Sequence, residues 1–147
     1  MSAANVLVNT TRKAVVHCLS TNATVGNVTA NLAFGPANLI YKAANGSNFQ
    51  TFDEPNAVAS IKGITYSLTD TAHVERWYSD GNRQNVLILG AGSGEFELNG
   101  FSYNQKANAN IRVTFNGEGF VTLAVHKEAG FVEPSTQGLE QRDRGPF

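Results

Sequence analysis

Histidine and carboxylate side chains at alternate positions are the residues of this chain that could bind a metal or transfer a proton. His73 and Glu75 lie two residues apart in a predicted strand, so they share one face, and Glu95 and Glu97 are spaced in the same way. Two ligands fall short of the four that a structural zinc site usually offers. A carboxylate pair could hydrolyse a glycan, but alternation with Phe96 puts this pair on the solvent side of an ordinary strand. We therefore predict no catalytic residue and no metal site.

The only cysteine, Cys18, follows His17 in a predicted strand. Adjacent strand residues point to opposite faces, so these two side chains cannot form a nucleophile–base pair or share a metal. We predict that Cys18 is a core residue. A single cysteine also allows no internal disulfide, which excludes a disulfide-stapled secreted scaffold.

A glycine-rich stretch looks like a cofactor-binding loop. The apolar run at residues 86–89 precedes Gly90, Gly92 and Gly94, as in S-adenosylmethionine-dependent methyltransferases and nucleotide-binding Rossmann folds. Those folds need a helix that begins at the glycines, with alternating β and α units behind it. Residues 95–98 alternate as a strand instead, so we predict a flexible loop between two strands and no cofactor.

Five aromatic residues could form a platform on which sugar rings stack, as in carbohydrate-binding β-sandwiches. They are Tyr66, Trp77, Tyr78, Phe101 and Tyr103. Aromatic side chains also fill the core of a sandwich, and the pattern does not fix the face on which Trp77 lies. A carbohydrate-binding module therefore stays an alternative function.

The clearest structural pattern is a predicted β-hairpin late in the chain. Apolar and polar residues alternate in residues 111–115 and again in residues 121–125, which predicts two strands with one buried face each. Their apolar faces match if the loop holds three or five residues. Asn116, Gly117 and Gly119 supply the positive φ angles that such a loop needs.

Similar patterns predict further strands, at residues 13–19, 39–43, 57–69, 73–78, 86–89, 95–98 and 101–103. Gly63 suggests a bulge, and the strand that contains Trp77 is expected to pair with the apolar run before Gly90. About eight to ten short strands, with helix expected only as one turn near Pro55, predict an all-β fold. The predicted architecture is an antiparallel β-sandwich, jelly-roll or Ig-like, with extended N- and C-terminal arms.

Composition predicts a single soluble domain. With 147 residues the chain can build one core that buries about two-thirds of the unfolded surface. A net charge of −1 gives no general attraction to nucleic acid or to a membrane surface. The first residues lack the pattern of a secretory signal, and no run approaches the roughly 18 apolar residues of a membrane span. We expect a protein made in a cytosol.

Two polar segments flank the predicted domain, which spans residues 12–132. Residues 1–11 are predicted to be an N-terminal arm that orders only when something binds it. Residues 133–147 carry two prolines and five charges and are predicted to be an extended C-terminal arm, disordered alone. The arm residues predicted to bind a partner are Glu133, Pro134, Leu139, Arg142, Arg144 and Phe147.

The second half of the chain, residues 73–132, resembles a known group of proteins. Its segments HVERWYSDGN, NVLILGAGSGEFEL and the closing IRVTF and FVTLAVHK are similar in order to small virion structural proteins of marine tailed bacteriophages. There a Trp-containing strand, an apolar strand ending in Gly, an acidic-aromatic segment and a valine-rich strand follow one another. The resemblance implies a non-enzymatic virion component without catalytic residues, in the first place a capsid decoration protein.

The resemblance also implies the partners and the location. The partners would be the major capsid protein or other virion proteins, on the capsid surface after assembly in the host cytoplasm. Assembly proteins are usually symmetric, so a homo-oligomer is expected. The alternatives are a tail or neck structural protein and the carbohydrate-binding module.

Overall fold

The computed structural model describes residues 3–21, 30–42, 45–46, 49–52, 57, 59–77, 82–98, 110–128 and 130–132. Within them lie eleven strands, which are β1 (Ala3–Asn9), β2 (Lys13–Ser20), β3 (Ala30–Phe34), β4 (Thr51–Phe52), β5 (Ala59–Leu68), β6 (Ala72–Trp77), β7 (Arg83–Leu89), β8 (Gly92–Glu97), β9 (Asn110–Phe115), β10 (Gly119–Lys127) and β11 (Phe131–Val132). One short 3-10 helix, Pro36–Leu39, follows β3. The prediction of an all-β sandwich is confirmed.

Nine of these strands form two antiparallel sheets. The five-stranded sheet has the order β1-β2-β10-β5-β8, and the four-stranded sheet has the order β3-β9-β6-β7, while β4 and β11 pair with each other. Without β1, the larger sheet has the order β2-β10-β5-β8 and the smaller one β3-β9-β6-β7. At each position in these two orders, the two strands are consecutive in the chain, as β5 and β6 are. This is the strand order of a jelly roll, one of the two sandwich types predicted.

Strand alternation builds one core between the two sheets. Every second residue of β2, β9 and β10 is buried, because the period of two turns those side chains toward the facing sheet. The buried apolar residues of these three strands are Ala14, Val16, Cys18, Ile111, Val113, Phe115, Val121, Leu123 and Val125. Full burial of a larger side chain of this set contributes roughly 1.5–3 kcal/mol to stability.

The predicted hairpin between residues 111–115 and 121–125 is wrong, although both strands exist. β9 pairs with β3 and β6 in the four-stranded sheet, whereas β10 pairs with β2 and β5 in the other sheet. Residues 116–118 therefore form an arch that crosses between the sheets. The alternation is the same in both arrangements, because Val113 and Leu123 are buried equally well when they reach the core from opposite sheets.

This arch is hydrogen-bonded to the connection between β5 and β6, which crosses between the sheets as well. The backbone N of Thr69 donates to the carbonyl of Glu118 at 2.9 Å, and the backbone N of Asn116 donates to the carbonyl of Thr71 at 3.0 Å. Gly119, the first residue of β10, has the positive φ predicted for this turn, at 139°, whereas the positive φ predicted for Gly117 is wrong. The two arches hold each other at one end of the sandwich.

The strand predicted at residues 39–43 is also wrong. A 3-10 turn ends there instead, and it is closed by reciprocal bonds between Gly35 and Asn38. The N of Asn38 donates to the carbonyl of Gly35 at 2.9 Å, and the N of Gly35 donates to Oδ1 of Asn38 at 2.9 Å. Pro36 favours this turn because its ring fixes φ near the helical value. The turn predicted near Pro55 and the strand at residues 101–103 lie outside the described residues.

Most of the other strand predictions are confirmed. β2, β5, β6, β7 and β8 lie at or next to their predicted positions, and β6 pairs with β7. The bulge predicted at Gly63 is present, because the pairing of β10 with β5 skips from Gly63 to Ile61. Within the predicted N-terminal arm, the structure pairs Ala3–Asn9 with β2 as an edge strand. The predicted C-terminal arm, residues 133–147, lies outside the described residues.

A buried lysine fastens the turn between β1 and β2. Lys127, at the end of β10, donates from Nζ to the carbonyl of Thr10 at 2.6 Å and to Oε1 of Gln50 at 2.9 Å. Nε2 of Gln50 donates in turn to the carbonyl of Thr11 at 2.9 Å. β1 ends at this turn and β2 begins after it, so these hydrogen bonds fix the position of β1 against the sandwich.

Candidate functional site

The first candidate surface is strand β1, which carries exposed apolar side chains at the edge of the five-stranded sheet. Val6, Leu7 and Val8 are 37%, 60% and 50% exposed. The pairing of β1 with β2 is irregular between Val6 and Val8, so three consecutive aliphatic side chains reach solvent where a regular strand would bury one in two. In the described part of the chain, the outer edge of β1 pairs with no other strand.

The inner side of β1 is held firmly. Ala4 packs against the core, and Nδ2 of Asn9 donates to the carbonyl of Ile40 at 3.1 Å. Together with the Lys127 cluster at the adjoining turn, these contacts present the outer edge as a preformed strand. A preformed edge binds another extended chain with less loss of entropy than a flexible arm does.

The second candidate surface lies on the outer face of the four-stranded sheet, around Trp77. His73, Glu75 and Trp77 follow one another along the outer face of β6, with Arg112 of β9 opposite Glu75 and Arg83 of β7 opposite Trp77. Together with Asn31, Thr114 and Asn116, these residues line a shallow groove of about 410 Å³. We call this site the Trp77 groove.

Two arginines stack on the indole of Trp77. The guanidinium carbon of Arg112 lies 3.9 Å from the ring centroid, and that of Arg83 lies 5.1 Å from it. Nε1 of Trp77 donates to Oε1 of Glu75 at 3.0 Å, and Glu75 is only 9% exposed. Within the described residues neither guanidinium forms an ion pair with a carboxylate. The groove therefore combines an aromatic ring, two available cations and one buried anion.

The structure brings His73 and Glu75, which the sequence analysis considered as metal ligands and rejected, to the same groove. Among the residues that the structure describes, however, no three His, Cys, Asp or Glu side chains come close enough to hold a metal ion. Glu95 and Glu97 are exposed on β8, the edge strand of the five-stranded sheet. The two carboxylates face solvent as predicted, but Phe96, which the alternation puts on the buried side, is 42% exposed at this sheet edge.

The residues Cys18 and His17 lie on opposite faces of β2, as predicted. Cys18 is fully buried, and burial raises the pKa of its thiol from 9.0 to about 12. His17 is on the outer face, where Nδ1 lies 2.8 Å from Oγ1 of Thr122. The thiol is therefore kept protonated and out of contact with the histidine, which suits a core residue.

The glycine-rich stretch connects two strands. β7 ends at Leu89 and β8 begins at Gly92, so only two residues lie between the strands. A strand thus follows the glycines at the point where the cofactor-binding folds place a helix. The connection is shorter than the predicted loop because Gly92 and Gly94 already belong to β8.

The aromatic residues do not form one platform in the part of the chain that the structure describes. Trp77 lies on the outer face of the four-stranded sheet, whereas Tyr66 packs against the core from the five-stranded sheet. The ring of Tyr66 stacks on Phe96, with centroids 5.9 Å apart. Tyr78, Phe101 and Tyr103 lie outside the described residues.

The residues predicted to bind a partner also lie outside the described part of the chain, and they are Glu133, Pro134, Leu139, Arg142, Arg144 and Phe147. The sequence analysis missed both arginines of the Trp77 groove. Arg112 is a polar position of a predicted strand, and Arg83 lies before the strand predicted at residues 86–89, although β7 begins at Arg83. Arg112 alternates with buried Ile111 and Val113, which indicates an outward side chain but not its neighbours. Only the pairing of three strands brings Arg83, Trp77 and Arg112 together.

Comparisons with known proteins do not assign this chain to a group. No protein-family model matches it, and no curated protein matches it closely enough to count as a relative. Among the described residues, no helix is long and apolar enough to cross a membrane.

Proposed function

We propose that this chain is a non-enzymatic structural protein of a bacteriophage virion, a decoration protein that binds the major capsid protein lattice. The observation that carries the proposal is the exposed apolar edge of β1. A free edge with three adjacent aliphatic side chains is an aggregation hazard for a protein that acts alone, but it is an attachment surface for one that joins an assembly.

The mode of attachment follows from the geometry of an edge strand. An extended segment of the coat protein adds to β1 as a further strand, and its backbone groups pair with the free N–H and C=O groups of β1. The side chains of Leu7 and Val8 become buried in this contact. Such contacts are weak one at a time, and repetition over a symmetric lattice makes attachment strong.

Two further points support a virion role. The order of sequence segments in residues 73–132 resembles that of small phage virion proteins, and jelly rolls serve in viral capsids. Because jelly rolls also serve as lectins, this second point is an analogy of fold. In the same proposal, residues 133–147 act as a C-terminal arm that adds contacts to the lattice, and the protein is a homo-oligomer.

The test is the occupancy of purified particles, measured by quantitative mass spectrometry. We expect about one copy of this chain for each coat subunit or for every few subunits. The variant Leu7→Asp should lower occupancy at least about tenfold, because it puts a charge into the proposed apolar contact. Ile88→Asp is the control, since Ile88 is 57% exposed but lies on β7 of the other sheet.

The alternatives give different results. A few copies per particle would indicate a tail or neck protein, and absence from particles would refute the virion proposal. Equal occupancy of Leu7→Asp and the unmodified chain would show that β1 is not the attachment surface.

A further inference from the structure

We propose that the Trp77 groove binds the carboxylates of an acidic peptide segment in extended conformation. The inference does not depend on the proposed virion role, because it concerns the opposite sheet and a charged site. It rests on the stacked arginines, on the charge balance of the groove and on the spacing of the strands that carry the arginines.

The stacking prepares the two arginines to bind an oxyanion. A guanidinium that lies over an aromatic ring keeps its N–H donors at its own edge, where they remain available to a carboxylate. Arg112 at 3.9 Å and Arg83 at 5.1 Å from the centroid of Trp77 are in this position. Contact with the ring restricts the two side chains, so less entropy is lost when a ligand binds.

The charges of the groove favour carboxylates over phosphates. Arg83 and Arg112 contribute two positive charges, and Glu75 contributes one negative charge. Glu75 is engaged by the indole N–H at 3.0 Å, so it orients Trp77 and reduces the excess charge to +1. Two carboxylates on a peptide place one negative charge beside each arginine, whereas a doubly charged phosphate concentrates both charges at one point of a groove that already holds Glu75.

The placement of the arginines suits a peptide with acidic residues at alternate positions. Arg83 and Arg112 come from β7 and β9, which lie on either side of β6, so their backbones are roughly 10 Å apart and their side chains converge on Trp77. Side chains two residues apart on an extended peptide point to the same side and lie about 7 Å apart. Two such carboxylates can reach one arginine each.

The groove is less suited to a sugar ring. Carbohydrate sites stack the sugar on an open aromatic face, but Arg112 covers a face of Trp77. Part of the polar lining also matches a peptide. The hydroxyl of Thr114 donates to Oδ1 of Asn31 at 3.4 Å, and Nδ2 of Asn116 donates to Oγ1 of Thr71 at 2.7 Å. Among the described residues this leaves Nδ2 of Asn31 and Oδ1 of Asn116 to pair with backbone C=O and N–H groups. An acidic polysaccharide is therefore the competing ligand that the experiment must exclude.

The test uses the fluorescence of Trp77, the only tryptophan of the chain. The full chain is titrated with a six-residue peptide of alternating glutamate and serine, with blocked ends. We expect a saturable change in fluorescence that weakens as salt is added. The same peptide with glutamine in place of glutamate is the control ligand and should give no saturable change.

Three variants locate the binding site. Arg83→Gln with Arg112→Gln should raise the dissociation constant about tenfold or more, because charge-assisted bonds to the carboxylates are lost. Arg112→Lys keeps the charge but not the flat stacked fork, and it should also weaken binding. Arg12→Gln is the matched control, since Arg12 is exposed in the turn between β1 and β2, and its affinity should stay within about twofold.

Three results of these titrations would overturn the proposal. Absence of a saturable change with the acidic peptide would refute it, and so would equal affinity of the double variant and the Arg12→Gln control. Tighter binding of an oligogalacturonate than of the peptide would assign the groove to an acidic polysaccharide. Circular dichroism confirms that each variant is folded before its titration is read.

Discussion

Replacing Gly119 by alanine tests whether the start of β10 lies closely against the end of β5, as the pairing of these two strands requires. Gly119 is the first residue of β10 and lies opposite Ser20 on one side and Leu68 on the other. A Cβ atom built at Gly119 would lie 2.1 Å from the carbonyl oxygen of Ser67 and 2.9 Å from Cα of Leu68. Both contacts are with backbone of a paired strand, which cannot move aside as a flexible side chain could.

The expected loss of stability has two parts. Alanine at a φ of 139° costs roughly 1–3 kcal/mol, because residues with a Cβ rarely adopt that conformation. The contact at 2.1 Å must lengthen by about 1 Å to become an ordinary van der Waals distance, which shifts the start of β10 and costs a further 1–3 kcal/mol or so. We expect Gly119→Ala to lower the free energy of unfolding by about 2–6 kcal/mol.

Urea unfolding followed by circular dichroism measures this change, and two other glycines serve as matched controls. Gly46 has a φ of 88° with no atom within 4 Å of a built Cβ, so Gly46→Ala should cost only the conformational part. Gly90 has an ordinary φ and open space around it, so Gly90→Ala should change stability by less than about 0.5 kcal/mol. If Gly119→Ala costs no more than Gly46→Ala, the close approach of β5 to the start of β10 is refuted.

Two further predictions concern buried ionisable groups. Burial raises the pKa of the Cys18 thiol from 9.0 to about 12, so the thiol of the unfolded chain ionises at lower pH than that of the folded chain. The contribution of the buried thiol to the free energy of unfolding is therefore complete below pH 9. It is lost as pH rises toward 12, by about 1.4 kcal/mol per pH unit. Urea unfolding at several pH values should show this extra slope relative to Cys18→Ala, and parallel slopes would contradict it. Lys127→Met removes the donor to Thr10 and Gln50 and should cost about 2 kcal/mol and speed amide hydrogen exchange in β1. Lys62→Met breaks only a partly exposed pair with Glu128 at 3.8 Å and should cost less than about 1 kcal/mol, so an equal loss in both lysine variants would contradict the role of the cluster.

The sequence predicts strands well because the signal is local. Alternation over five or six residues is enough to mark β2, β5, β9 and β10, and Gly63 indicates the bulge. The pattern within one strand does not show which strand pairs with it. Ile111, Val113 and Phe115 are buried in the structure, and the same alternation would bury them if β9 paired with β10 in one sheet. The apolar pattern of residues 39–43 predicts a strand, but the reciprocal bonds of Gly35 with Asn38 start a 3-10 turn at Pro36 that ends at Leu39.

The two candidate surfaces also depend on strand pairing, which the local sequence pattern does not show. The apolar character of residues 6–8 is visible in the sequence, but its exposure depends on the irregular pairing of β1 with β2. The stacking of Arg83 and Arg112 on Trp77 depends on the register of β6 with two different neighbours. Side chains that meet across three strands leave no spacing signal in one sequence.

The jelly-roll order also sets when the protein can fold during its synthesis. β10 is the middle strand of the five-stranded sheet, between β2 and β5, yet the ribosome makes it after every other strand of the two large sheets. Until residues 119–127 emerge, β2 and β5 have open edges toward each other and cannot complete the sheet. Among the described strands, β1 with β2 and β6 with β7 pair as neighbours in sequence and need the shortest loop closure, whereas β5 with β8 and β9 with β3 and β6 pair over longer separations. We therefore expect slow, late folding that begins at the β6–β7 pair, and an incomplete chain that depends on chaperones until β10 closes the sheet.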